Sequence, residues 1–157
     1  MKLSSIFNKD SIICNLQAKS KKDVIEELLG HCIELNYLTS SQKLNSYINE
    51  NEKKFNSASG RGIAYHYHTS IEVKELVGIL GVSNNGIDYD ANDGLLCNYI
   101  LLILEPKEQP DNHRKVINLF QEMINEPKIK SEFIQANSKN DIENIILSWE
   151  NSGDEIA

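Results

Sequence analysis

Two kinds of hydrophobic pattern alternate along this chain. Val24, Leu28, Leu29, Cys32, Ile33 and Leu35 recur at helical spacing and predict an amphipathic helix. Ser20 opens it, with Asp23 three positions on, a variant of the capping box. A second helix is predicted after Ser40 or Ser41, with Leu44, Tyr47 and Ile48 inward. Gly62–His68 reads as a strand, and apolar runs predict others over Ser11–Leu16, Leu76–Val82 and Tyr99–Leu104. The last run has the pattern of a central strand buried on both faces, ended by Glu105 and Pro106. Phe55–Gly62 has loop chemistry, and Ser83–Gly86 reads as a turn. A helix capped by Asp111 or Asn112 carries Val116, Ile117, Leu119, Phe120, Met123 and Ile124. Another runs from Pro127 to about Ala136, and a last one from Lys139 to Glu150.

Helices before and after a group of strands predict an α/β fold, with helices covering a mixed sheet. No repeat or linker interrupts the chain, so residues 1–150 are expected to form one domain. Residues 151–157 read as a polar C-terminal tail that frays.

Charge and cysteine usage narrow the function classes. The chain has 157 residues, 16 basic and 23 acidic, with a formal net charge of -7. That balance argues against a general nucleic-acid binder, whose phosphate contacts need clustered Lys and Arg. No stretch is long and apolar enough for a membrane helix, and the N-terminus lacks a signal-peptide pattern. Cys14, Cys32 and Cys97 are widely separated and outside any CxxC, consistent with reduced thiols in a cytoplasmic protein.

Candidate chemistry rests on histidines, which titrate near neutral pH. His31 reads as an ordinary helix residue. His66 and His68 lie one residue apart on a strand, so alternation puts them on one face and Tyr65 and Tyr67 on the other. His113 falls in the first turn of its helix, where unpaired N–H groups attract anions. His66, His68 and His113 together could bind a metal, but no carboxylate or cysteine lies at a diagnostic interval. No cofactor is expected.

Four ordered segments carry a family resemblance: Gly62-Ile63-Ala64, Gly86 to Gly94, Leu101 to Pro106, and His113. At compatible spacing they resemble the GIAxPH, GIDFxALDG and FLLLxP segments and the helix-opening histidine of one family. It is the phosphotransferase-system enzyme IIA domain of fructose, mannitol or nitrogen-regulatory type. The resemblance spans about Ile12 to Trp149. It implies a mixed sheet flanked by α-helices on both faces. It also implies a histidine that takes a phosphoryl group from the phosphocarrier HPr. That group passes to a IIB domain, or serves as a regulatory signal. His113 matches the family's assisting histidine, and Ser57 falls near its small hydroxyl residue. Arg61 would supply positive charge to an anion.

One departure matters most. The motif here reads Gly62-Ile63-Ala64-Tyr65-His66-Tyr67, so Tyr67 stands where the accepting histidine belongs and His66 replaces the proline. The 33 residues from Gly62 to Gly94 match the family length without a gap, which favours this register. A phenol, with an ordinary pKa of about 10, is a poor nucleophile without a base. The expected function is a stand-alone regulatory IIA-like protein with a degenerate acceptor site, acting by binding protein partners. An active phosphocarrier using His68 or His66 is one alternative. A histidine-based metal module is the other.

Overall fold

The computed structural model describes residues 1–108 and 111–156. A five-stranded sheet forms its middle layer, ordered β1-β4-β5-β3-β2. The strands are β1 (Ile12–Cys14), β2 (Ala58–Gly60), β3 (Ile63–Thr69), β4 (Val77–Ile87) and β5 (Cys97–Glu105). The sheet is mixed: β1 runs parallel to β4 and β3 parallel to β5, while the other two pairs are antiparallel. Helices α1 (Lys21–Glu34) and α2 (Gln42–Glu52) precede most of it, and α3 (His113–Ile124), α4 (Pro127–Gln135) and α5 (Lys139–Ile156) follow it. No described helix is long and apolar enough to cross a membrane.

Each face of the sheet has its own core. Tyr65, Leu80, Val82, Tyr99, Leu101 and Ile103 pack against Val116, Phe120, Phe133, Ile142 and Ile146 of the C-terminal helices. Ala64, Ile79, Ile100, Leu102 and Leu104 pack against Val24, Leu28, Leu29 and Ile48 of α1 and α2. Alternating residues of β5 thus enter opposite cores, the period-2 geometry of a strand buried on both faces. Each fully buried aliphatic side chain contributes roughly 1.5–3 kcal/mol, which fixes β5 in register.

Local signals explain the element boundaries. Ser20 Oγ accepts the Asp23 N–H at 3.2 Å, capping α1. Pro127 sits at the start of α4, where its missing N–H costs nothing. The loop expected over Phe55–Gly62 contains the short strand β2, turned back by Gly60 (φ 93°), Arg61 (φ 59°) and Gly62 (φ 82°). Three consecutive positive φ values, two of them at glycine, make this tight reversal.

Ser83–Gly86 does not reverse the chain: β4 runs through it to Ile87 with a register irregularity. Ser83 Oγ accepts the Gly86 N–H at 3.1 Å, and Asn98 Nδ2 donates to Ser83 O at 2.9 Å. These bonds hold a bulge where composition alone reads as a turn. The last helix continues past Glu150 to Ile156, with Ser152 Oγ donating to Ser148 O at 3.0 Å. Ala157 of the expected tail lies outside the described residues. Ile33 and Tyr47, expected inward, are 37% and 61% exposed.

Candidate functional site

Strand β3 sends its side chains to both cores in strict alternation. Tyr65 meets Phe120 edge-on at 6.3 Å between ring centroids, on the α3 side. His66 and His68 face α2, beside Glu52 and Tyr47 respectively. Tyr67 returns to the α3 side and stacks flat on His113, with centroids 4.2 Å apart and planes 6° apart.

The end of β5 completes this corner. Glu105 follows Leu101 and Ile103 on the same face of the strand, so alternation aims it at α3. Its carboxylate is 2% exposed. One oxygen accepts the His113 backbone N–H at 3.0 Å, and the other accepts the His113 ring Nδ1–H at 2.6 Å. The start of α3 was expected to attract an external anion. It is satisfied instead by the chain's own carboxylate, while Asn112 makes no side-chain cap. Burying an uncompensated carboxylate costs several kcal/mol, so the two bonds to His113 explain how Glu105 is tolerated there. They also fix the tautomer: Nδ1 carries the proton, and Nε2 holds the free lone pair. Among the described residues, Nε2 takes no hydrogen bond.

This pair opens onto a cleft of about 570 Å³. Strand β2 pairs with β3 only at Ile63 and Ala64, which leaves the outer edge of His66–Thr69 without a strand neighbour. The cleft lies there, lined by Lys43, Tyr47 and Asn51 of α2, Tyr67 and His68 of β3, and Glu105, Lys107 and His113. A missing edge strand thus lets residues from both faces of β3 meet one cavity. Another cleft of similar volume is lined by Leu3, Glu122, Ile129 and Trp149, and brings no histidine to it.

His66 belongs to a separate buried network. Its ring is 1% exposed. Tyr89 Oη lies 2.8 Å from Nε2, Ser57 Oγ lies 3.2 Å from Nδ1, and Ser57 Oγ bonds Glu52. Lys21 Nζ reaches the second Glu52 oxygen at 3.1 Å. One proton order satisfies every member: Tyr89 donates to Nε2, Nδ1–H donates to Ser57, and Ser57 and Lys21 donate to Glu52. Burial, opposed by Glu52, lowers the His66 pKa to about 4, so the ring is neutral as that order requires. Burial also disfavours the Glu52 carboxylate, yet hydrogen bonds from Ser57 and Lys21 keep its pKa below the ordinary value. His68 is likewise lowered to about 4 by burial, against Glu52.

These shifts set an acid sensitivity. Both histidines have folded pKa values below the unfolded 6.5, so the unfolded chain binds more protons between pH 6.5 and about 4. Stability is therefore expected to fall as pH drops through that window, by up to about 3 kcal/mol per histidine. Urea unfolding at pH 7, 6 and 5 measures it, and His68→Gln should flatten the slope. A midpoint independent of pH over that range would contradict the burial argument.

The sequence-derived residues therefore divide. Tyr67, His68 and His113 share the cleft, whereas His66 and Ser57 are locked in the network behind it. Arg61 is not brought to the cleft: it forms the hairpin turn at the other end of β3, its backbone N–H on Asp93 and its guanidinium on Asn125. Among the described residues no group of three His, Cys, Asp or Glu is placed to hold a metal, because His66 faces away from His113. Sequence reading passed over Glu105, Glu52, Tyr89, Lys43 and Lys107. Glu52 had a usable signal, since it stands four residues after Ile48 on the buried side of α2.

Known proteins share this arrangement of elements. The chain is 23% identical over 146 residues to the PTS system fructose-specific EIIABC component of Bacillus subtilis, covering 93% of this chain and 23% of that protein. It thus spans about a quarter of that relative's length. The nitrogen regulatory protein IIA-Ntr of Neisseria meningitidis superposes with a TM-score of 0.80 at 20% identity, over 92% of this chain and 98% of that one. Enzyme IIA mannitol of Escherichia coli, solved in complex with phosphorylated enzyme IIB mannitol, gives 0.69 at 12% identity, over 88% and 95%. Residues 5–149 match the model of the phosphoenolpyruvate-dependent sugar phosphotransferase system EIIA 2 family, and the chain belongs to that family.

Proposed function

We infer that this protein is a regulatory type of IIA protein, acting through contacts with protein partners, in which β3 no longer carries the phosphoryl acceptor. The observation behind this reading is the stack of Tyr67 on His113. The ungapped motif puts a phenol at the acceptor position, and that phenol stacks on His113, the residue that matches the family's assisting histidine. His66 offers no substitute, since both its ring nitrogens are hydrogen-bonded inside the core. The fitting partners are an HPr-like phosphocarrier, a IIB domain or a regulatory target protein.

A second reading keeps His68 as an active acceptor. It is favoured by the neutral His68 ring at the cleft. Incubation with phosphorylated HPr, followed by mapping of the modified residue, separates the two. The regulatory reading expects no phosphoryl group on residues 66–68 and stable capture of HPr, a IIB domain or a target. Label on His68 that transfers onward to a IIB domain would reject it.

A further inference from the structure

We propose that the phosphoryl acceptor of this chain has moved to His113, whose Nε2 attacks the phosphorus of an N-phosphorylated donor. The proposal rests on the phosphotransferase-system reading for its donor class, a protein phosphohistidine. Its geometry rests on the Glu105–His113 pair, the Tyr67 stack and the cleft beside them.

Two features favour His113 over His68, while the lysines of the shared cleft serve either ring. Glu105 holds Nδ1–H, so the Nε2 lone pair is the nucleophile in every neutral ring. His68 meets Tyr47 edge-on, and among the described residues no carboxylate hydrogen-bonds it to set its tautomer. Tyr67 covers the face of the His113 ring, but the Nε2 lone pair lies in the ring plane, so stacking orients the ring without blocking attack. Lys43 and Lys107 line the same cleft and supply positive charge for phosphoryl oxygens. His113 is the catalytic residue of this step, and Glu105 and Tyr67 are positioning residues.

The step balances without an added reagent. The Nε2 lone pair forms a bond to phosphorus as the donor's P–N bond breaks. The leaving nitrogen keeps that bond's electron pair, so a donor protonated on its second ring nitrogen departs as neutral imidazole. His113 keeps its Nδ1 proton and becomes a phosphoimidazolium, whose positive charge faces the Glu105 carboxylate. The reverse transfer follows the same path, which suits a reversible signal.

The test uses the full chain with two donors, phosphorylated HPr and the small donor phosphoramidate. An acid-labile, base-stable label mapping to His113 by mass spectrometry is expected, with phosphorus NMR placing it on Nε2. His113→Gln should abolish it, while His68→Gln should retain it. Glu105→Ala should slow labelling by about tenfold or more, as loss of the carboxylate behind a working imidazole does. Its residual label should divide between the two ring nitrogens, a result that general loosening of the fold would not give. Tyr67→Phe, which keeps the stack, should label faster than Tyr67→Ala. Label on His68 overturns the proposal and the regulatory reading together. No label from either donor, with HPr still captured, overturns His113 as acceptor and leaves that reading standing. Label on His113 from phosphoramidate without capture of HPr supports the acceptor and rejects HPr as the partner.

Discussion

Tyr67→His is expected to return a phosphoryl acceptor to β3, with label from phosphorylated HPr mapping to residue 67. The position is half exposed, at 49%, and faces the cleft where His113 lies. The change replaces a phenol by an imidazole. A phenol hydroxyl must give up its proton to attack phosphorus, whereas a neutral imidazole nitrogen needs no deprotonation. Label at residue 67 should therefore rise by about 100-fold or more over the parent chain. The fold should tolerate the change, because the smaller ring can still stack on His113 and the Glu105 bonds remain intact. Label on His68 and none on residue 67 in this variant would show that the ungapped register of the motif is wrong. The same experiment in a Tyr67→His, His113→Gln double variant shows whether His113 assists the restored acceptor. A loss of rate there, with residue 67 still labelled, is the assisting pattern.

The largest expected effect on stability comes from Glu52→Ala. Glu52 is the acceptor on which the whole buried network converges: Ser57, Lys21 and, through Ser57, His66 and Tyr89. Its side chain is 7% exposed and that of Lys21 25%. Removing it leaves the largely buried Lys21 side chain without its carboxylate, and the Ser57 hydroxyl proton without its acceptor. Breaking a buried ion pair from one side costs about 3–5 kcal/mol. That is a large share of the roughly 5–15 kcal/mol that holds a domain together. For a chain of this length the melting temperature should fall by roughly 6–20 °C. Calorimetry or urea unfolding measures it. A loss below about 1 kcal/mol would place the pair with exposed salt bridges, whose measured values are that small.

Much of the fold was legible because it follows local rules. The Ser20 cap, the Pro127 start and the doubly buried β5 all sit where composition and periodicity put them. The failures share one cause: they depend on partners distant in sequence. Ser83–Gly86 has turn composition, yet Asn98 holds it in the sheet as a bulge. Arg61 sits beside the motif in sequence, yet the hairpin carries it to the far end of β3. Tyr47 has helical spacing for burial, but no strand continues along the outer edge of β3 to cover it.

Read alone, the sequence establishes that Tyr67 lies between His66 and His68 in the segment that resembles the family's acceptor motif, because identity and spacing along one strand are properties of the chain. It also determined that His66 and His68 share a face opposite Tyr67, because a strand alternates with period two. Only the tertiary structure decided what those residues meet. Glu105 looked like the end of an apolar strand. Folding brings it against His113, eight positions on in sequence, buries its carboxylate there and sets that ring in the wall of the cleft. The physical reason is that a buried charge is set by the partners that desolvate and neutralise it, and those are chosen by packing between β5 and α3, not by neighbours along the chain.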